Sequence, residues 1–174
     1  MSSGCDNVKQ IKPRKITMSQ NADTPKKLNE LLCFSIYSAN NAMNRIYSPA
    51  LKKLNLTYPQ YLVMLALWEK DNQTVGSLCN LLFLESSTVT PLLKRLETAG
   101  YVARNRNKQD ERQVLISLTT KGTSLSQHSN EISACIAQAA TLENSEIADL
   151  LEKMTQLREA LATYNQREKS NKPI

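Results

Sequence analysis

The apolar positions along the chain fall into helical stripes, interrupted once by a short alternating stretch. Thr24-Pro25 supplies a capping hydroxyl followed by Pro at a first helical position. Leu28, Leu31, Leu32, Ile36, Ala39, Met43 and Ile46 then recur at helical spacing. A short second helix is predicted around Ala50, Leu51 and Leu54, punctuated by Asn55 and Thr57. Thr57-Tyr58-Pro59 opens a third, with Tyr61, Leu62, Leu65 and Trp68 facing inward, and Asp71-Asn72-Gln73 closes it. Thr74 caps a helix over Val75 to Leu82. After the polar break Glu85-Ser86-Ser87-Thr88, Val89, Leu92, Leu93 and Leu96 form an i, i+3, i+4, i+7 stripe, and Gly100 stops it. Tyr101–Arg106 and Gln113–Leu118 alternate about a polar turn, which predicts a β-hairpin. Thr119 caps a long helix to about Ala140, and a last helix starts at Leu142 or Ser145 and ends near Tyr164.

Two short helices joined by a polar turn and followed by a basic hairpin make a winged helix-turn-helix. The predicted fold class is therefore mainly α with a small β-hairpin wing. The second helix of the pair offers Ser86, Ser87, Thr88, Thr90, Pro91, Lys94 and Arg95, with the hydroxyls at its N-terminal end. There a recognition helix meets base edges, and its backbone N–H groups favour phosphate. The hairpin carries Arg104, Arg106, Lys108 and Arg112 within nine residues. Such a wing can follow the DNA backbone or reach a minor groove. Exposed Lys and Arg are ordinary on any surface. The ordered combination of hydroxyl-rich helix, Gly stop and Arg-rich hairpin is what points to DNA.

Composition narrows the field without deciding it. The 174 residues carry a net charge of +6, only 4 Gly and 6 Pro, and 5% aromatics. This excludes collagen-like and low-complexity chains and argues against an aromatic-rich barrel. Residues 1–17 hold Lys9, Lys12, Arg14 and Lys15 against Asp6, so +3 of the surplus sits there. They lack the apolar run of a secretory signal, and residues 1–24 are expected to be a disordered leader, with Met18 an alternative start. The most apolar stretch, Leu81–Leu84, is bracketed by Asn80 and Glu85, so no membrane span is expected. A cytoplasmic protein is the expectation. Cys5, Cys33, Cys79 and Cys135 lie far apart and His128 is the single histidine, so neither a metal site nor a cofactor is expected. Cys79 reads as structural, Cys5 as incidental and His128 as a surface residue.

Thr90–Arg104 (TPLLKRLETAGYVAR) and Asp110–Gly122 (DERQVLISLTTKG) resemble the multiple-antibiotic-resistance regulator (MarR) family of dimeric winged-helix transcription factors. The resemblance implies that Asp110 and Arg112 orient the wing. It also implies that the first helix and the last two form an intertwined dimer interface. The implied organisation is N-terminal sensing and dimerisation helices over 25–56, a DNA-binding domain over 57–118, dimerisation helices over 119–165 and a flexible tail over 166–174. The implied partners are a second copy of the chain and a pseudo-palindromic double-stranded operator.

Leu31–Tyr47 (LLCFSIYSANNAMNRIY) and Leu54–Glu69 (LNLTYPQYLVMLALWE) resemble one subgroup, the organic hydroperoxide resistance regulators. That resemblance implies that Cys33 is the peroxide-reactive thiol, that Tyr47 and Tyr58 hydrogen-bond to it, and that Tyr37 lies close. With the first helix starting at Pro25, Cys33 is expected about two turns inside it, beyond useful reach of the helix dipole. Phenolic donors would then favour the charged sulfur, and attack on the peroxide would give a sulfenic acid. Some members of the subgroup then close a disulfide across the dimer, for which Cys135 is the candidate; others use an external small thiol. The expected function is a repressor that releases its operator on oxidation of Cys33 by an organic hydroperoxide. Two alternatives stay open: a MarR-type regulator released by a phenolic or other small ligand, and a thiol peroxidase. The second is disfavoured because an enzyme needs neither wing nor recognition helix.

Overall fold

The computed structural model describes residues 27–106 and 113–170, with backbone alone at 131, 135–138 and 168–170. In chain order the elements are α1 (Leu32–Lys53), α2 (Tyr58–Glu69), β1 (Gln73–Thr74), α3 (Val75–Leu82), α4 (Ser86–Thr98), β2 (Val102–Arg106), β3 (Val114–Leu118), α5 (Thr120–Ser124), α6 (Ser129–Ala140) and α7 (Asn144–Ser170). The described strands form one antiparallel sheet in the order β1-β3-β2. Val102 pairs with Leu118 and Arg106 with Val114, and β1 adds Gln73 opposite Ile116. The mainly helical winged helix-turn-helix expected from the sequence is thus present, with a third strand added.

Local chemistry sets most boundaries. Thr57 donates its backbone N–H (2.8 Å) and its hydroxyl (3.0 Å) to Gln60 Oε1 at the start of α2. Thr74 Oγ1 accepts from Ser77 N–H at 3.1 Å and Thr119 Oγ1 from Gly122 N–H at 3.0 Å, which caps α3 and α5. At the end of α4, Gly100 takes φ +75°, Gly100 N–H donates to Glu97 O, and Tyr101 N–H donates to Leu96 O. That is a Schellman stop, and its left-handed residue favours Gly. Buried Val63, Met64, Leu67, Leu78, Val89, Leu93, Leu96 and Ile116 fuse α2, α3, α4 and the sheet into one core.

The structure departs from the sequence expectations at several boundaries. Residues 28–30 form a 3-10 turn, Leu31 is extended, and α1 starts at Leu32 rather than Pro25. The separate helix expected around residues 50–54 is the end of α1, which runs continuously through Pro49. Pro49 deprives only the Arg45 carbonyl of its helical donor, on an exposed stretch where water can serve. Around α2, Tyr61 is buried as expected. Leu62, Leu65 and Trp68 are half-buried, and Val63, Met64, Ala66 and Leu67 take the deepest places. The long helix expected after Thr119 is broken by a 3-10 turn over Leu125–His128. There Ser124, Ser126 and Ser129 hydroxyls donate to carbonyls three residues back, at 2.7–2.8 Å, which tightens the turn.

The chain divides into two compact units at Ala139/Ala140. In the second, α7 extends to Ser170, beyond the end expected near Tyr164. One stripe of α7 carries exposed Leu150, Leu151, Met154, Leu161 and Tyr164. In the first unit α1 buries only Leu51 and exposes Leu32, Tyr37, Met43 and Ile46.

Candidate functional site

The α3–α4 pair is built to present α4. Leu78 on α3 and Val89, Leu92, Leu93 and Leu96 on α4 are buried. That anchoring leaves Ser86, Ser87, Thr88, Thr90, Pro91, Lys94 and Arg95 all exposed, as the sequence stripe requires. The connection turns sharply at Phe83, held at φ 54°, with Leu84 N–H donating to Cys79 O at 3.0 Å. No side chain caps the start of α4 at Glu85. Thr88 N–H donates to Glu85 O at 2.9 Å, so the Ser86 and Ser87 N–H groups and three hydroxyls form one donor-rich end suited to a phosphate oxygen.

The sheet places the wing beside α4. Arg106 is exposed at the end of β2. Arg104, on the same face two residues nearer the core, folds back onto α4. Its Nε lies 3.1 Å from Glu97 Oε2 and its guanidinium donates to the Thr90 carbonyl at 3.4 Å. Lys108, Asp110 and Arg112 lie outside the described residues. The base of the wing is tied to the exit of α2. Asp71 Oδ1 accepts from Leu118 N–H at 2.9 Å, and Trp68 Nε1–H donates to Gly122 O at 3.0 Å. Gly122 itself is required, because a Cβ there would stand 2.0 Å from Tyr101 O. At the end of α4, Lys121 Nζ donates to Ala99 O at 2.9 Å and sits 4.7 Å from the Tyr101 ring centroid. Glu97 and Lys121 escaped the sequence reading, and Asp71 entered it only as part of the cluster that closes α2, not as the acceptor for β3. Glu97 was within reach of it, since an acid seven residues after Thr90 lies on the same face of α4.

Cys33 is exposed and is the second residue of α1. It therefore lies inside the first turn, where the macrodipole acts, and not two turns along as expected. Tyr37, one turn further on the same face, is 63% exposed. Tyr47 and Tyr58 stack with ring centroids 5.0 Å apart, and Tyr61 stands 6.2 Å from Tyr47. Burial raises the Tyr58 phenol above its ordinary 10.0. It also raises Tyr61, against a lowering hydrogen bond with Ser133. Within one chain, however, Cys33 and Tyr47 are 14 positions apart on one helix, about 21 Å along its axis. The chain joins the two tyrosines and leaves the thiol elsewhere. A cavity of about 370 Å³ opens beside Tyr58, bordered by Asn44, Ser48, Lys52, Leu56 and Thr57. Cys79 is half-buried in α3. Cys135 lies on α6, its side chain outside the described ones, as are Cys5 and the leader. Among the described residues no helix is long and apolar enough to cross a membrane, and no group of side chains could hold a metal ion.

Residues 45–129 match the family model for the transcriptional regulator SarA/Rot. The chain is 52% identical over 114 residues to the HTH-type transcriptional regulator TtmR of Methylorubrum extorquens (strain PA1), covering 65% of this chain and 58% of that one. It is 40% identical over 139 residues to the organic hydroperoxide resistance transcriptional regulator of Bacillus subtilis (strain 168), covering 80% and 95%. Among solved structures it is similar to AbfR of Staphylococcus epidermidis, at 40% identity and TM-score 0.67 over 78% of this chain and 94% of that one. It also matches reduced AbfR bound to DNA, at 38% identity and TM-score 0.62 over 77% and 93%. The match to disulfide-formed AbfR is at 36% identity and TM-score 0.55 over 80% and 92%.

Proposed function

The chain belongs to the MarR/SarA family of winged-helix transcriptional regulators, and from that premise we propose that it is a dimeric, DNA-binding repressor switched by organic hydroperoxide at Cys33. The observation that carries this reading is the separation of the thiol from its phenols. Cys33 is exposed at one end of α1, and the stacked Tyr47–Tyr58 pair stands at the other. A second copy laid antiparallel against exposed residues of α1 would bring one chain's thiol to the other's phenols. The exposed stripe on α7 gives a second surface for the same association. Known relatives supply the rest of the support: a hydroperoxide-resistance regulator and a protein crystallised on DNA and in a disulfide form.

In the reduced dimer, two α4 helices enter successive major grooves of a pseudo-palindromic operator, about 34–36 Å apart. Ser86, Ser87, Thr88, Thr90, Pro91, Lys94 and Arg95 face the DNA, and Arg106, Lys108 and Arg112 follow it with the wing. The Cys33 sulfur attacks the distal peroxide oxygen. The O–O bond breaks, the alkoxide leaves with a proton as the alcohol, and the sulfur becomes a sulfenic acid. A second thiol then condenses with it to a disulfide and releases water. That thiol is Cys135 of the partner subunit or a small external one. The oxidised arrangement needs only a few kcal/mol of bias to lose the spacing that two half-sites demand.

The test is operator binding before and after a stoichiometric organic hydroperoxide, then after dithiothreitol. Release that the reductant reverses, and that Cys33→Ser abolishes without loss of DNA binding, is the expected result. DNA binding indifferent to peroxide would overturn the redox step. The cavity beside Tyr58 and Lys52 favours the second reading, release by a small phenolic or other ligand. Release by such a ligand in Cys33→Ser would establish it.

A further inference from the structure

We propose that Arg104 is a positioning residue, a clamp that fixes the wing on the recognition helix, and that Glu97 is its anchor. This assignment rests on the DNA-binding reading above and differs from the expectation that Arg104 touches DNA as part of the basic wing.

Strand alternation comes first. Val102 is buried and faces the core, so Arg104, two residues on, emerges on the same face of β2. That face looks onto α4. Arg104 sits in the middle of the strand, opposite the fully buried Ile116, rather than at the free end of the hairpin. Its side chain is 30% exposed, and its Nε is sheltered from solvent.

The guanidinium then reaches two points of α4. Nε lies 3.1 Å from Glu97 Oε2, an ion pair without a directed hydrogen bond, and a terminal nitrogen donates to Thr90 O at 3.4 Å. Thr90 and Glu97 are seven residues apart, two turns along one face of α4, and the Glu97 side chain brings its carboxylate to the guanidinium that also meets the Thr90 carbonyl. A planar, always-charged fork can span two such points where a flexible point charge cannot. The Glu97 carboxylate also offsets the arginine's charge, so little of it remains for a phosphate. What the pair provides is a fixed angle between α4 and β2, so that the helix and the exposed end of β2 meet the duplex together.

The two readings predict opposite signs at Glu97. The experiment measures full-length protein binding to duplexes selected from a random-sequence pool, as affinity against salt concentration. The variants are Arg104→Gln, Arg104→Lys, Glu97→Gln and the Arg104→Gln/Glu97→Gln pair, with Arg106→Gln as the reference for a phosphate contact. A clamp predicts about a tenfold loss of affinity in Arg104→Gln with the salt slope unchanged. It predicts a similar loss in Glu97→Gln, although that change removes a negative charge near DNA. It predicts no further loss in the double variant and no rescue by Arg104→Lys. A slope reduced by about 0.9 in Arg104→Gln, tighter binding in Glu97→Gln, or full affinity in Arg104→Lys would each overturn the clamp. A wild-type chain that bound no duplex would instead overturn the DNA-binding reading, and the clamp's role with it.

Discussion

The 14 helical positions between Cys33 and Tyr47 make the sensing site a question of geometry that mixed dimers can answer. At about 1.5 Å per residue the two stand about 21 Å apart along α1, several times the reach of a hydrogen bond. If phenols stabilise the reacting sulfur, they do so from the other subunit. A dimer of one Cys33→Ser chain and one Tyr47→Phe/Tyr58→Phe chain then contains one complete site, because the intact thiol of the second meets the intact phenols of the first. A dimer of wild type with a Cys33→Ser/Tyr47→Phe/Tyr58→Phe chain contains none. A hydrogen bond to a charged group contributes about 1.5–3 kcal/mol, so losing one slows oxidation about 10- to 100-fold. The assay is single-turnover sulfenic acid formation in dimers purified through two different tags. The expected outcome is fast oxidation in the first dimer and slow oxidation in the second. The reverse pattern would mean the phenols act within their own chain, and the proposed site would fall.

The packing and the titratable groups give two further expected outcomes. Gly122→Ala should destabilise the protein by about 3 kcal/mol, the upper part of the usual range for overpacking, because the added Cβ meets Tyr101 backbone at 2.0 Å. Thermal unfolding should fall by about 6–12 °C, and an unchanged midpoint would show that this approach is not tight. Tyr58 has a pKa raised above 10.0 by burial. Below pH 10 both folded and unfolded chains keep its proton; above it the unfolded chain sheds the proton first, so stability declines as pH rises toward the folded value. Denaturant unfolding from pH 8 to 11 should show a shallower alkaline decline in Tyr58→Phe than in wild type. An unchanged decline would remove Tyr58 from the account.

The recognition helix was the most legible part of the fold. Val89, Leu92, Leu93 and Leu96 admit one buried face, which leaves the hydroxyls and Lys94 on the other, and Gly100 supplies the stop. The features that escaped lay where no side chain marks a boundary. No side chain caps α1 at Leu31, so the stripe Leu28–Leu32 merged with Ile36 and Ala39 into a single apparent helix. β1 has two residues, too few to show alternation, and its existence depends on Ile116 and Leu115 arriving from 43 and 41 positions away. The serines after Thr119 broke a helix whose apolar pattern gave no warning, because the break is made by hydroxyls competing for backbone carbonyls.

The sites divide along the same line. Counting arginines found a basic wing; Arg104 and Arg106 share the face of β2 that buried Val102 marks, and distance from that buried end separates Arg104, held on α4, from Arg106, exposed at the end of the strand. The expected sensing residues are named by resemblance alone, and no single chain assembles them. Resemblance brings Cys33, Tyr37, Tyr47 and Tyr58 together by role, whereas helix rise keeps Cys33 and Tyr47 apart in any one chain. An association in which a second copy covers exposed residues of α1 would remove the conflict in physical terms. A helix of 22 residues that buries Leu51 alone leaves Leu32 and Tyr37 mostly in water and Met43 and Ile46 partly so, each forgoing part of the roughly 1.5–3 kcal/mol that full burial of such an apolar side chain contributes. Cys33 and Tyr37 are exposed on that same helix, so an association through α1 would bear on the thiol as well.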